Sequence, residues 1–237
     1  MKFKTLAVMQ PYIFPYIGYF NLLNSCDVFV LYDDVNFIKQ GWINRNRVLN
    51  SKNEVMFSVP LVNQSSNLAI NEVTVANYER FKVKFLRTIE QCYSKAIHFE
   101  VGLDYVTEVL NTEFTSISEL ASSSIEFAKE RLNLQCEILT SSEQFAHTKG
   151  MERSQRLIAM AQILGCNRYV NSVNGSFLYD KNEFSNNGVE LKFIKPTLLP
   201  YRQCNAREFH AGLSIIDLMM NLSVEEIRTH LDSFELV

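Results

Sequence analysis

Short apolar runs and apolar stripes of helical period alternate along the chain, the pattern of strands and helices taking turns. Phe3 to Met9 is an apolar run that leads into Gln10-Pro11-Tyr12-Ile13-Phe14-Pro15-Tyr16-Ile17-Gly18-Tyr19. Pro11 and Pro15 push Gln10 and Phe14 towards extended backbone, so no helix covers both prolines comfortably. The predicted order is strand, stiff loop, then a helix from Tyr16 to Ser25. Val28 to Tyr32 follows as a continuous apolar run, which suits a strand buried on both faces of a parallel sheet. Strand, loop, helix and strand within about thirty residues make a βαβ unit, as at the start of nucleotide-binding domains. A right-handed crossover puts the Gln10 loop and Asp33-Asp34 on the same sheet edge. Open α/β sheets bind ligands at that edge.

Glu54 to Val59 reads as a strand ended by Pro60, Asn63 to Asn67 as a polar loop, and Ala69 to Val75 as another strand. Tyr78, Phe81, Phe85 and Ile89 form the core stripe of a helix, and Ile117, Leu120, Ala121, Ile125, Ala128 and Leu132 that of a second. Leu103 to Leu110 is helical in pattern, and Leu134 to Leu139 reads as a strand. Glu152 to Leu164 is a helix stopped by Gly165. Arg168 to Ser172 and Val189 to Ile194 are strands; Asp180 with Glu183, and Ser223 with Glu226, mark helix starts as capping boxes. Leu213 to Asn221 is a compact helix. The predicted fold is therefore α/β, a mostly parallel central sheet with helices packed on it. It spans residues 1–237 as a single domain, with 141–150 the one candidate for a subdivision.

A chain of 237 residues with a net charge of -3 carries no general basic field, so nucleic acid is not an expected partner. No apolar stretch is long enough for a bilayer and no leader pattern opens the chain, so membrane insertion is not expected and cytoplasm is the expected location. The five cysteines and four histidines are scattered, without a C-x-x-C pair or metal-ligand spacing. Neither a metal nor a cofactor is expected. Cys204, near His210, is weighed as a nucleophile and set aside, because nothing in the sequence activates its thiol.

The candidate chemistry lies in the loops. Asp33 and Asp34 are the candidate general base, or else a cap or solvated turn. In Asn36 to Arg47, Arg45 and Arg47 share one face of an extended segment and Asn44 and Asn46 the other. Arg suits phosphate or carboxylate, and Trp42 either stacks on a base or sugar or anchors the arm in the core. Asn171 to Gly175 is a turn whose backbone N–H groups could face an anion. Tyr201 and Gln203 lie on a second proline-stiffened loop. Gln10, Tyr16, Tyr19, Trp42, Asn44, Arg45, Asn46, Asn171, Gly175, Tyr201 and Gln203 are the expected substrate contacts, gathered in one cleft.

Gln10-Pro11 through Tyr19, Asp33-Asp34, Gln40-x-Trp42-x-Asn44-Arg45-Asn46, the Tyr169-to-Tyr179 loop, Tyr201-x-Gln203 and Leu213-Ser214-Ile215-Ile216-Asp217 together give the chain its resemblance to the WbqC-like family. These are bacterial proteins often encoded among surface-polysaccharide and O-antigen genes. The resemblance covers nearly the whole chain. It implies transfer of an acyl or aminoacyl group, such as glycyl, from an activated donor to a nucleotide-linked amino sugar, and leaves a homo-oligomer open. Two alternatives stand beside it. Tyr16-Ile17-Gly18-Tyr19 lies where HIGH-type nucleotidyl- and adenylyl-transferases carry His-x-Gly-His, but phenols stay neutral at pH 7 and supply no cationic charge. A noncatalytic partner of a glycosyltransferase or carrier protein is the other.

Overall fold

The structure, a computed structural model, describes residues 3–51, 53–62, 64–204 and 206–237. The chain runs β1 (Thr5–Met9), α1 (Ile17–Asn24), β2 (Val28–Leu31), β3 (Arg45–Leu49), β4 (Glu54–Ser58), α2 (Tyr78–Tyr93), α3 (Phe99–Leu110), α4 (Ile117–Arg131) and β5 (Glu137–Thr140). It continues through α5 (Ser141–Gln144), α6 (Arg153–Ile163), β6 (Arg168–Ser172), α7 (Lys181–Asn186), β7 (Glu190–Pro196), α8 (Ile215–Asn221), α9 (Val224–Leu231) and β8 (Phe234–Leu236). Six strands form one sheet in the order β5-β2-β1-β6-β7-β8. All neighbours are parallel except β8, which pairs antiparallel to β7. β3 and β4 form a separate antiparallel hairpin.

Both faces of the sheet are covered, which is why its strands read as unbroken apolar runs. Ala7, Phe29, Leu31 and Val170 face a core shared with α1, α2, α3, α4, α8 and α9. Leu6, Val8, Val28, Val30 and Tyr169 face a second core built with α6 and α7. The first connections move outward from β1 to β2 and β5; the chain then returns past β1 to β6 and moves the other way. A right-handed connection that reverses direction must pass over the opposite face, so α6 and α7 lie there. The order reverses between β1 and β6, and the crevice outside their C-terminal ends is the ligand position of such sheets.

Several expectations change. Ala69 to Val75 is a single 3-10 turn, Ile70–Glu72, with isolated bridges at Ala69 and Val75 instead of a strand. Other partners take the ladder groups there: Glu72 Oε2 accepts the Ala69 N–H at 2.8 Å, and the Asn71 N–H goes to the Asp33 backbone carbonyl at 3.0 Å. The strand expected from Leu134 starts at Glu137, because Asn133 (φ 54°) and the Leu134 N–H, bonded to the Lys129 carbonyl at 3.0 Å, close the end of α4. Asp180 caps α7 alone, accepting the Asn182 N–H at 2.8 Å, while Glu183 accepts Gln155 Nε2. The Ser223–Glu226 capping box is formed. Of the polar loop expected at Asn63 to Asn67, Asn63 lies outside the described residues; at its far end Ser65 Oγ accepts the Asn67 N–H at 3.2 Å. Among the described residues no helix is long and apolar enough to cross a membrane.

Candidate functional site

The loop after β1 is held from several sides. Phe14 has a φ of 45°, rare for a bulky residue. Its N–H donates to Ser124 Oγ at 2.9 Å; its carbonyl accepts Asn46 Nδ2 at 2.8 Å and Ser214 Oγ at 2.7 Å. Its ring packs against Phe57, Phe85 and Tyr105. The Ile13 N–H donates to the Ile43 carbonyl, and the Pro15 carbonyl accepts the Ile215 N–H. Tyr19 is buried and its hydroxyl donates to the Gln10 carbonyl at 3.0 Å. The half-buried Tyr16 ring lies over Gly18, where a Cβ would stand 2.4 Å from it. Of the two tyrosines at the HIGH-like position, Tyr19 is therefore committed to packing.

The crevice at the strand-order reversal is built from three strand ends. The Tyr32 N–H donates to the Met9 carbonyl at 2.9 Å, which extends the β1–β2 ladder and sets Gln10 beside Tyr32. Alternation from Leu6 and Val8 assigns Gln10 to the α6 face. Among the described residues its side-chain amide makes no hydrogen bond. On the same face Asn171 Nδ2 donates to the hydroxyls of Tyr169 at 2.9 Å and Tyr179 at 3.3 Å. Asn171 Oδ1 accepts the Ser172 N–H at 2.7 Å. Burial pushes the Tyr32, Tyr169 and Tyr179 phenols up, so at neutral pH all three are protonated donors.

Asp33 and Asp34 stand at the end of β2, both buried. Asp33 Oδ1 accepts the Ser142 N–H at 2.9 Å, and its Oδ2 accepts Ser142 Oγ at 2.6 Å and Asn71 Nδ2 at 3.1 Å. Asp34 Oδ1 accepts Ser141 Oγ at 2.7 Å and its Oδ2 pairs with Arg156 at 2.6 Å. The Arg156 guanidinium lies 4.8 Å from the Tyr32 ring centroid and donates to Thr148 Oγ1 at 2.9 Å. Burial opposes its charge, but the hydrogen bond to Asp34 and the neighbouring acids outweigh it and raise its pKa.

The remaining expected contacts form other clusters. Asn44 is buried, bonding Val59 and Ser58; Asn46 clamps the Phe14 loop. Arg45 curls back onto the Gly41 and Gln40 carbonyls. Arg47 pairs with Glu54 at 2.7 Å, and both guanidiniums lie within 6 Å of the exposed Trp42 ring, at 5.9 and 5.5 Å. Gly175 falls in a 3-10 turn, Val173–Leu178, whose Asn174 N–H is taken by Ser172 Oγ. Gln203 is buried: its Nε2 donates to Asp217 Oδ2 at 2.9 Å and to the His210 carbonyl at 3.0 Å. Tyr201 and Tyr93 donate to the same carboxylate at 2.5 and 2.7 Å. Burial raises the pKa of Asp217 against the pull of these three donors.

The structure thus brings Gln10 and Asn171 to the crevice, sets Asn46, Tyr16 and Tyr19 around the loop beneath it, and sends Trp42 and Arg45 to the outer hairpin and Tyr201 and Gln203 to Asp217. Two cavities are described. One of about 10 Å³ lies among Ile17, Tyr201, Phe209, Leu213 and His230, and one of about 420 Å³ lies over Tyr78, Lys82, Asn111 and Phe114. Gln10, Arg45 and Gln203 line neither; Gln203 is sealed against Asp217, and Arg45 is bonded to the Gly41 and Gln40 carbonyls. Tyr32, Tyr179, Arg156 and Asp217 were not among the expected contacts, although Tyr179 and Asp217 lie in segments that carry the family resemblance. For Asp217 and Arg156 the signal was a charged residue on an otherwise apolar helix face. Among the described residues no group of three His, Cys, Asp or Glu is placed to hold a metal ion. Burial raises the Cys204 thiol, which leaves it unactivated at neutral pH.

Sheet order and the helices on both faces define a doubly wound α/β protein. The chain belongs to the WbqC-like protein family, whose family model matches residues 10–229. It is 27% identical over 229 residues to the uncharacterized protein Rv1507c of Mycobacterium tuberculosis (strain ATCC 25618 / H37Rv), across 94% of this chain and 95% of that protein.

Proposed function

We propose that the chain is a transferase that holds a nucleotide-linked amino sugar in the crevice between β1 and β6. It passes an acyl or aminoacyl group from an activated donor to the sugar amine. The observation that supports the reading is the strand-order reversal at Gln10 and Asn171: Gln10, whose side-chain amide makes no hydrogen bond among the described residues, shares a sheet face with Asn171 and the protonated phenols it bonds. Attack forms the amide bond, expels the donor's leaving group and releases one proton from the amine. Phenol and amide donors suit the oxyanion that develops on the acyl carbonyl. Asp33, whose partners are the neutral Ser142 and Asn71, is the assigned proton acceptor. Asp34 is the organiser that holds Arg156 against Tyr32. A nucleotide-sugar acceptor implies a cytoplasmic reaction, in the synthesis of a surface-polysaccharide (O-antigen) precursor. The nucleotidyl-transfer alternative draws no support from Tyr19, whose hydroxyl is spent on the Gln10 carbonyl.

A thermal-shift screen with UDP- and dTDP-amino sugars tests the reading. A native-state ligand at a hundred times its Kd stabilises by about 2.7 kcal/mol. The expected result is a rise in Tm with at least one amino-sugar nucleotide, reduced in Gln10→Ala. Amide formation on that sugar with a glycyl or acyl donor should follow. No shift with any nucleotide sugar, together with a stable protein partner in pull-down, would favour the noncatalytic role instead.

A further inference from the structure

We propose that Arg153 is the phosphate-binding cation of the crevice, so that the ligand enters as a phosphate ester or diphosphate and not as a neutral sugar. The inference rests on the crevice reading above and adds the group that selects the ligand class. β5 and β6 are parallel members of one sheet, so both end at the C-terminal edge. The helix that connects them must begin at that edge and run back. Arg153 is its first residue. Arg156 follows three residues later, on the same helix face. Because Arg156 is anchored to Asp34 and lies over Tyr32, Arg153 stands one turn further towards the rim of the crevice.

The charge of Arg153 reaches the phenols of both Tyr32 and Tyr179, which lie on either side of the reversal. The neighbouring Glu152 carboxylate makes no ion pair with it. That group is turned into the helix, where it accepts the Ser154 and Gln155 N–H groups at 2.8 and 3.4 Å. Among the described residues Arg153 makes no ion pair or hydrogen bond, unlike Arg156 on the same helix, which is paired with Asp34. An exposed guanidinium beside buried phenol and amide donors is a fork that matches two phosphate oxygens. Tyr169 and Asn171, both more than nine-tenths buried, keep those donors in place.

Calorimetric titration of pyrophosphate, UDP and uridine into wild type, Arg153→Gln and Arg153→Lys tests this. Pyrophosphate and UDP should bind wild type, weaken about tenfold or more in Arg153→Gln, and weaken less in Arg153→Lys. Uridine should be indifferent to the substitution, and an unchanged Tm would show an intact fold. Equal UDP affinity in wild type and Arg153→Gln overturns the role of Arg153 and leaves the nucleotide-sugar reading standing. Arg153-dependent pyrophosphate binding without acceptance of any amino-sugar nucleotide supports the cation and sinks the transferase. No binding of pyrophosphate or UDP to wild type overturns both.

Discussion

A left-handed backbone costs a non-glycine residue roughly 1–2 kcal/mol, and Phe14 accepts that cost for position. The bend turns its ring into three aromatic neighbours and presents its peptide groups to Ser124, Asn46 and Ser214. Asp217 shows the converse, an acid held in the core by three hydrogen-bond donors and the nearby His210. Burial raises its pKa above the model-peptide 3.8, so the folded chain holds the proton more tightly than the unfolded chain. Its contribution to stability is therefore complete below that unfolded value and is lost as pH rises through the folded pKa. The difference in unfolding free energy between wild type and Asp217→Asn should shift against wild type from about pH 4 towards neutrality, as measured by urea melts. A difference that moves in wild type's favour over that range would show that the donors outweigh burial, and a flat one that they cancel it. The inward Asn44 and Asn46 and the outward Arg45 and Arg47 were legible from strand alternation. The bend at Phe14 was not, because it is imposed by groups from three distant segments.

At the scale of elements, Asp34 and Arg156 dock α5 and α6 onto the end of β2. Both are almost fully buried, so the pair draws its worth from mutual neutralisation. Asp34→Ala should cost about 3–5 kcal/mol in urea unfolding, because it leaves the guanidinium buried and uncompensated. The double variant Asp34→Leu, Arg156→Met should recover most of that loss. If it is as unstable as the single variant, the pair is not what sets the cost. Strands and helices with strong periodicity were read from the chain. In the misread stretch Ala69 to Val75, the Glu72 carboxylate takes the Ala69 N–H and the Asp33 carbonyl takes the Asn71 N–H, bonds that no hydrophobic pattern records. The crevice was half legible for a related reason. The C-terminal edge follows from a βαβ start, but the reversal depends on which side of β1 the chain places β6, and short apolar strands look alike in either order.

At the scale of the molecule, that reversal makes the two halves of the chain interdependent. The stretch 141–150 connects β5 to α6, and it is also where the sequence offered a subdivision. β1, one of the two central strands of the sheet, pairs with β2 from its own half and with β6 from the other. The first half therefore contributes β5, β2 and β1 with one side of β1 open, and the second contributes β6, β7 and β8 with β6 open. Each half would expose a buried strand edge and an apolar sheet face. The Asp34–Arg156 and Phe14–Ser214 contacts also join residues on opposite sides of the cut. Gly150 is exposed with a φ of 91°, a turn that suits a break. Fragments 1–150 and 151–237, expressed separately, should each fail to give a cooperative melt. Mixed during refolding, they should assemble and unfold in one transition with recovery of the intact protein's circular dichroism. A cooperative melt of either fragment alone would instead make 141–150 a linker between two folding units, and would require the crevice to be an interface between them.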